Sequence, residues 1–320
     1  MLNRRVLRVR VLQYLYSYYS LIKFSDKPEQ LKSDFIRNLS TSLQEINKYY
    51  YKLLSLPIIL SDINAEKKEI AKSEKIKKSP SRFNFSENIV IDFLRRNKKL
   101  IDTLNRFKID WNAKTPEIRN WYNFVLDNEI TKNYSLLNKP KFKDDFDYLK
   151  KLINKILFKN EDINQFFENE NIHWYDDRII IRSMIKKTIE SLNSSNFNTF
   201  TLANLSENIK DDINFASSLF ESIIDHTSEY DEYITKHSKN WKIDRISLMD
   251  KSILRMGIGE MVNFSNIPIK VTMNECIDIA KNYSTPKSGL FINGVLDVIS
   301  LNLQKKGIIN KSGKGLIDNK

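Results

Sequence analysis

Seven glycines and seven prolines are spread over 320 residues, and this scarcity constrains the fold more than any other feature. Average use of glycine alone is ~7%. Sheets need glycine-rich turns, whereas helices tolerate neither residue in their interior. The chain is therefore predicted to be all-α, with long helices and short connections. Apolar residues at helical spacing place these helices at about 3–24, 29–56, 86–107, 116–134, 142–169, 174–193, 207–238, 243–264, 268–283 and 287–305. Pro57 is expected to stop the second helix. No stretch approaches the ~18 apolar residues of a membrane-spanning helix. The arginine-rich start is not followed by the apolar run and cleavage site of a signal peptide, so a cytoplasmic location is expected. One cysteine, Cys276, and three scattered histidines, His173, His226 and His237, offer no disulfide and no metal-ligand set. No cofactor is expected.

Lys plus Arg number 52 against 40 Asp plus Glu, a net charge of +12. Such an excess points to an anionic partner, with nucleic acid the usual one. A coding bias toward Lys, Asn and Ile produces the same excess without any binding role. The run at residues 64–82 carries seven basic and three acidic side chains and little to bury. It reads as a solvated helix fraying into a linker at Ser79-Pro80-Ser81, with RNA binding as the other reading. Trp111, Trp121 and Tyr122 sit at or near the start of a predicted helix, as core or interface aromatics first and stacking platforms second. The polar stretch Ser191–Phe200 lacks periodicity and is the best boundary in the chain. The glycine-containing segment from Lys305 onward reads as a disordered tail.

Two segments carry more information. In the first helix Val6, Val9, Leu12, Gln13 and Tyr16 recur at three- and four-residue steps, marking one face of an amphipathic helix, and Arg4, Arg5 and Arg8 occupy its first turns. Cations there oppose the helix dipole, so helix stability does not explain their placement. In residues 243–264 Ile246, Met249, Ile253 and Met256 mark one face, while Asp250, Lys251 and Arg255 are expected on the opposite, solvated side. Gly257 and Gly259 each cost up to ~1 kcal/mol against alanine inside a helix, which implies close approach of a neighbouring helix. Cys276 lies on an apolar face with Ala280 and is read as core. The last helix is broadly apolar, and Phe291 near its start is either core or a surface aromatic.

The string IPIKVTMNECIDIAKNYSTPKSGLFINGVLDVI resembles the terminal signature of the NusB family, in which K-V-x-x-N-E precedes F-x-N-G-V-L-D. Upstream, DRISLMDKSILRMGIGEMVN is similar to the family's I-L-R-x-(small)-x-x-E helix. RRVLRVRVLQYLYSY is similar to its arginine-rich opening, R-R-x-x-R-x-x-x-x-Q-x-L-Y. The intervening region resembles the long insertion of Bacteroidetes-type members. The resemblance implies a NusB-like helical bundle with an additional inserted helical region. Its parts would be a first helix at 1–24, an insertion at 25–195, a core at 196–305 and a disordered tail at 306–320.

What the family does implies a non-enzymatic transcription antitermination factor that binds boxA-type single-stranded RNA together with NusE, the small-subunit ribosomal protein. The wider partners would be RNA polymerase, NusA and NusG. Carried over by position, Arg4, Arg5, Arg8, Gln13, Tyr16, Lys287 and Phe291 would face the RNA. Arginine forks hold phosphates, and aromatic rings stack unpaired bases. Asn274 and Glu275 are expected to pin a turn and helix start. Asn293 and Gly294 are expected to be structural, with the glycine admitting a close helix. The basic and imidazole residues that usually precede the family's phenylalanine are absent, and Lys287 is the available replacement charge. An enzyme carrying a NusB-like domain would need a glycine-rich cofactor turn and catalytic cysteines that this chain lacks. A protein-binding helical adaptor without specific RNA binding is the remaining alternative.

Overall fold

The computed structural model describes residues 2–73, 85–111, 115–192, 200–238 and 245–312. Every regular element among them is helical: α1 (Arg4–Leu21), α2 (Pro28–Ser73), α3 (Ile89–Arg96), α4 (Lys98–Arg106), α5 (Pro116–Asp127), α6 (Glu129–Ser135), α7 (Phe142–Lys151), α8 (Glu161–Glu170), α9 (Trp174–Glu190), α10 (Ile209–Asp225), α11 (Thr227–His237), α12 (Leu248–Asn263), α13 (Ile269–Tyr283) and α14 (Ser288–Lys305). No helix among the described residues is long and apolar enough to cross a membrane. The end of the charged 64–82 run and most of Ser191–Phe200 lie outside the described residues.

The expected helix at 207–238 is split at His226 into α10 and α11, and three other expected helices are broken for a common reason. The segments expected to be continuous over 86–107, 116–134 and 142–169 are each broken at an asparagine. Asn97, Asn128 and Asn160 end one helical stretch and cap the next, accepting from the backbone N–H of Leu100, Ile130 and Ile163 at 2.9, 3.0 and 2.8 Å. A short amide side chain competes with the backbone ladder and satisfies the orphan donors of a new helix start. Between α7 and α8 the chain also passes through a π-helical turn, Leu152–Ile156. Pro57, by contrast, does not stop α2, which runs through it to Ser73. Its missing N–H and ring clash cost about 3 kcal/mol, but Leu53, Leu54, Leu56 and Leu60 around it are almost wholly buried. Four buried leucines offset that cost.

The described chain forms two compact units: Leu2–Leu43 with Asn208 onward, and Gln44–Glu207. The first third of α2 thus belongs with the terminal unit, and the rest of it opens the inserted one. In the inserted unit, Trp174 stacks on Phe167 with ring centroids 4.4 Å apart. Tyr134 stacks on Tyr148 at 4.0 Å and donates to the buried carboxylate of Asp145 at 2.6 Å. Asp145 also accepts from Ile89 N at 2.8 Å, fixing the entry of α3. Burial raises the pKa of Asp145. Asn64, expected in a solvated run, is fully buried and donates to Tyr122 Oη at 2.9 Å.

In the terminal unit α12 is the central helix, packed by α1, α10, α11, α13 and α14. Its buried surface runs all the way round, so the solvated side expected for Asp250 and Arg255 does not exist. Arg255 forms two 2.7 Å hydrogen bonds to Asp231 and covers the Tyr19 ring, while Asp250 accepts from Ser284 at 2.7 Å. A buried charge survives only when paired in this way. The two helix glycines meet the expectation of close approach. A β-carbon on Gly257 would lie 2.9 Å from Leu296 Cδ1 and 3.1 Å from Cys276 Sγ, and one on Gly259 would lie 2.8 Å from Ile223 Cγ1. Cys276 is core as expected, and burial pushes its thiol pKa far up.

Gly294, read from sequence as a packing glycine, has no atom within 4 Å of where a β-carbon would stand. Gly294→Ala should therefore raise stability by about 0.5–1 kcal/mol through helix propensity. Gly257→Ala should lower it by about 1–2 kcal/mol, because Leu296 and Cys276 are buried and cannot retreat. Urea denaturation of the two variants checks the opposite signs. Residues after α14 also depart from the expected tail: Ile309 is buried, and Lys311 donates to Phe264 O at 2.8 Å.

Candidate nucleic-acid interface

The site begins with an N-cap. Asn3 accepts from Val6 N at 3.0 Å and starts α1, which sets the directions of the arginines that follow. The buried face of α1 is Leu7, Val11, Leu15 and Tyr18, with Leu12 and Tyr19 beside it. This is rotated from the stripe expected through Val6, Val9, Gln13 and Tyr16. Only Leu12 belongs to both.

That rotation separates the arginines. Arg4 is exposed, and its guanidinium lies 4.1 Å from the centre of the Phe215 ring, which in turn packs on Phe264 at 4.8 Å. Among the described residues no carboxylate stands at ion-pair distance from Arg4. Arg5 is half exposed and bonds Glu275 through Nε at 3.0 Å and Nη2 at 2.9 Å, with Asp278 a further 2.9 Å from Nη2. The hydrogen bonds to Glu275 raise its pKa further. Arg8 is 3% exposed and pairs with Glu260, itself 1% exposed, at 2.7 and 2.9 Å. Thr272 completes this buried group by donating to Glu260 at 2.6 Å.

Arg8 is therefore corrected from an RNA-facing residue to an internal strut joining α1 to α12. Its placement against the helix dipole is explained by a carboxylate 252 positions away. Glu275 is corrected as well: it sits inside α13 and anchors α1 rather than pinning a turn. Asn274 is exposed on the same helix.

Gln13 is half-buried, and Tyr16 is exposed on the outer side of α1. Lys287, Asn293 and Gly294 are exposed. Phe291 is half-buried and packs against the terminal core. The outer face of α13 runs between the starts of α1 and α14. Asp278 pairs with Arg5 on one side and with Lys281 at 3.3 Å along its own helix. Hydrogen bonding from Lys281 lowers the pKa of Asp278. Lys281 Cγ is 3.6 Å from where a Gly289 β-carbon would stand on α14.

Two clefts meet at Arg4. One, of about 570 Å³, is lined by Asn3, Arg4, Arg5, Pro268, Val271 and Glu275, among others. The other, of about 270 Å³, is lined by Arg4, Asn214, Phe215, Phe264 and Asn266, among others. Phe215, Phe264 and Asn266 carry no signal that a search for basic or aromatic motifs detects. They join the site only because α10 and the α12–α13 turn pack on the start of α1.

Residues 179–300 match the family model described as the NusB family. A transcription antitermination protein NusB of Salinibacter ruber is 50% identical over 103 residues, which is 32% of this chain and 64% of that protein. Its counterpart in Dictyoglomus turgidum is 43% identical over 104 residues, covering 32% of this chain and 70% of that protein. The chain belongs to the NusB family. A third NusB relative, from Chloroherpeton thalassium, is 41% identical over 104 residues, 32% of this chain and 49% of that protein. The chain thus spans about half to two thirds of the length of the first and third relatives. The NusB match leaves most of the inserted unit outside it, and the all-helical architecture holds in both units.

Proposed function

We propose that this NusB-family chain is a transcription antitermination factor that binds boxA-type single-stranded RNA with NusE, at the surface formed by the starts of α1 and α14 and the outer face of α13. The observation that carries the reading is Arg4: an exposed guanidinium over the Phe215 ring, at the junction of two clefts. A stacked guanidinium keeps its charge and its outward donors for a phosphate. Arg5 contributes less, because a phosphate must compete there with Glu275 and Asp278. Lys287 adds charge at the start of α14, while Phe291 and Tyr16 offer rings to unstacked bases. Gln13 lies one turn before Tyr16 and is proposed to contribute to the same surface. Asn293 and Gly294, solvent-facing on α14, are proposed as contact surface rather than packing elements.

NusE is proposed to dock on the exposed side of α14, where Leu290, Val298 and Leu301 are 82%, 45% and 52% exposed around the bare Gly294 backbone. An open apolar stripe with a glycine notch suits a protein partner that approaches closely. Contact with RNA polymerase, NusA and NusG follows as part of the same assembly, in the cytoplasm.

Titration against boxA-like and scrambled RNA over a salt series, with NusE present and absent, tests the reading. Arg4→Ala should weaken boxA-like binding and reduce the salt slope by about 0.7, the value for one phosphate on a single strand. Phe291→Ala should weaken it by about 1–3 kcal/mol if the ring stacks on a base. Equal, feeble binding of both RNAs by the wild-type chain would favour the adaptor reading instead.

A further inference from the structure

The inserted unit carries a second basic site that the NusB reading does not use. A groove of about 660 Å³ lies between the end of α7 and the middle of α9. Lys150, Lys151 and Lys155 line one wall, and Arg182 and Lys186 the other, against only two carboxylates, Asp147 and Glu190. Lys186 meets Glu190 at 3.8 Å, but among the described residues no carboxylate comes within ion-pair distance of the three lysines opposite.

The groove is shaped by an irregular backbone. The π turn Leu152–Ile156 widens the end of α7 and delivers Asn154 and Lys155 to the wall, and such turns occur frequently at functional sites. Asn154 Oδ1 accepts from Arg182 Nε at 3.1 Å, which fixes the guanidinium across the groove. Along α9, before Arg182, Tyr175 and Ile179 stand one turn apart, 65% and 71% exposed. Arg178 covers the Tyr175 ring at 4.8 Å.

We propose that this groove binds the phosphate backbone of single-stranded RNA, with Tyr175 as a stacking platform at its mouth. The charges face each other across a concavity between two helices. A cationic track ending at an exposed ring is the arrangement that single strands use without sequence preference. An acidic polypeptide would satisfy the charges but would have no use for the ring.

The test uses the full chain and a labelled oligo-uridine RNA, followed by fluorescence anisotropy over a salt series. A triple variant, Lys150→Glu with Lys155→Glu and Arg182→Glu, should bind at least tenfold more weakly. Its salt slope should be shallower by about 2, from about 0.7 per phosphate released. Tyr175→Ala should weaken binding at least fivefold with the slope unchanged. Circular dichroism checks that both variants keep their helices. Unchanged affinity and slope in the triple variant overturn the proposal. So does polyglutamate displacing the RNA equally from wild type and Tyr175→Ala, which would assign the groove to an acidic protein. The α1 surface is tested separately. Oligo-uridine binding in a chain carrying Arg4→Ala and Phe291→Ala isolates the groove, whereas discrimination of boxA-like from scrambled RNA isolates the α1 surface.

Discussion

Arg8→Ala is expected to destabilise the protein by about 3–5 kcal/mol, the loss typical when one partner of a buried ion pair is removed. Arg8 binds both oxygens of Glu260, and the pair is almost inaccessible to solvent. Without the guanidinium, the carboxylate keeps Thr272 as its side-chain hydrogen-bond donor, with Lys311 nearby on the carbonyl of the same residue. Burial holds Lys311 down to a pKa of about 8, so it is still largely protonated at pH 7, but its ammonium is held by the backbone carbonyls of Phe264 and Glu260 rather than by the carboxylate. Arg8→Lys should recover only part of the loss, because a single ammonium cannot reproduce the fork. Replacing both partners with apolar residues, Arg8→Met with Glu260→Leu, should lie much closer to wild type than either single change. Chemical denaturation of this cycle gives the answer. A single-variant loss below about 1 kcal/mol would mean that the pair is not buried in solution.

A comparable loss, about 3–5 kcal/mol, is expected from Trp174→Ala in the inserted unit. Trp174 opens α9, is 1% exposed, stacks on Phe167, and places its indole N–H 3.1 Å from Asn164 Oδ1. Truncation removes one of the largest side chains of that core and leaves Asn164 without its indole donor. It also opens a void that Phe167 and Tyr49 are too constrained to fill. Phe in its place should retain most of the packing and lose chiefly the hydrogen bond, about 1 kcal/mol. Urea unfolding followed at 222 nm distinguishes the two variants. Equal losses for Ala and Phe would show that the indole N–H, not the ring, dominates.

Both predictions concern residues whose importance the sequence conceals to different degrees. Trp174 stands at the start of a recognisable helix, so a core role could be expected from its type and place. Arg8 could not be resolved this way. Arg4, Arg5 and Arg8 look alike in a motif, yet one is stacked, one shares two surface carboxylates and one is buried. Cys276, Gly257 and Gly259 were legible because a small or apolar residue inside a helix of known phase implies a close neighbour. Gly294 misled for the same reason: a glycine in a helix announces room for something, but not whether the protein itself fills it. The asparagine caps were hidden by abundance. Asn is common throughout this chain, and only the three-dimensional path shows which ones accept from a new helix start.

The linear order of residues was enough to dictate the all-helical class, which segments are helical and membership of the NusB family. Those properties rest on interactions between residues three or four apart and on motifs read in order. Tertiary structure alone decided which face of α1 is buried, that Pro57 lies within a continuous helix, and which arginine remains open to a ligand. Each of these depends on partners far along the chain, such as Glu260 for Arg8 and Phe215 for Arg4. The free energy of such contacts exists only once the helices have packed.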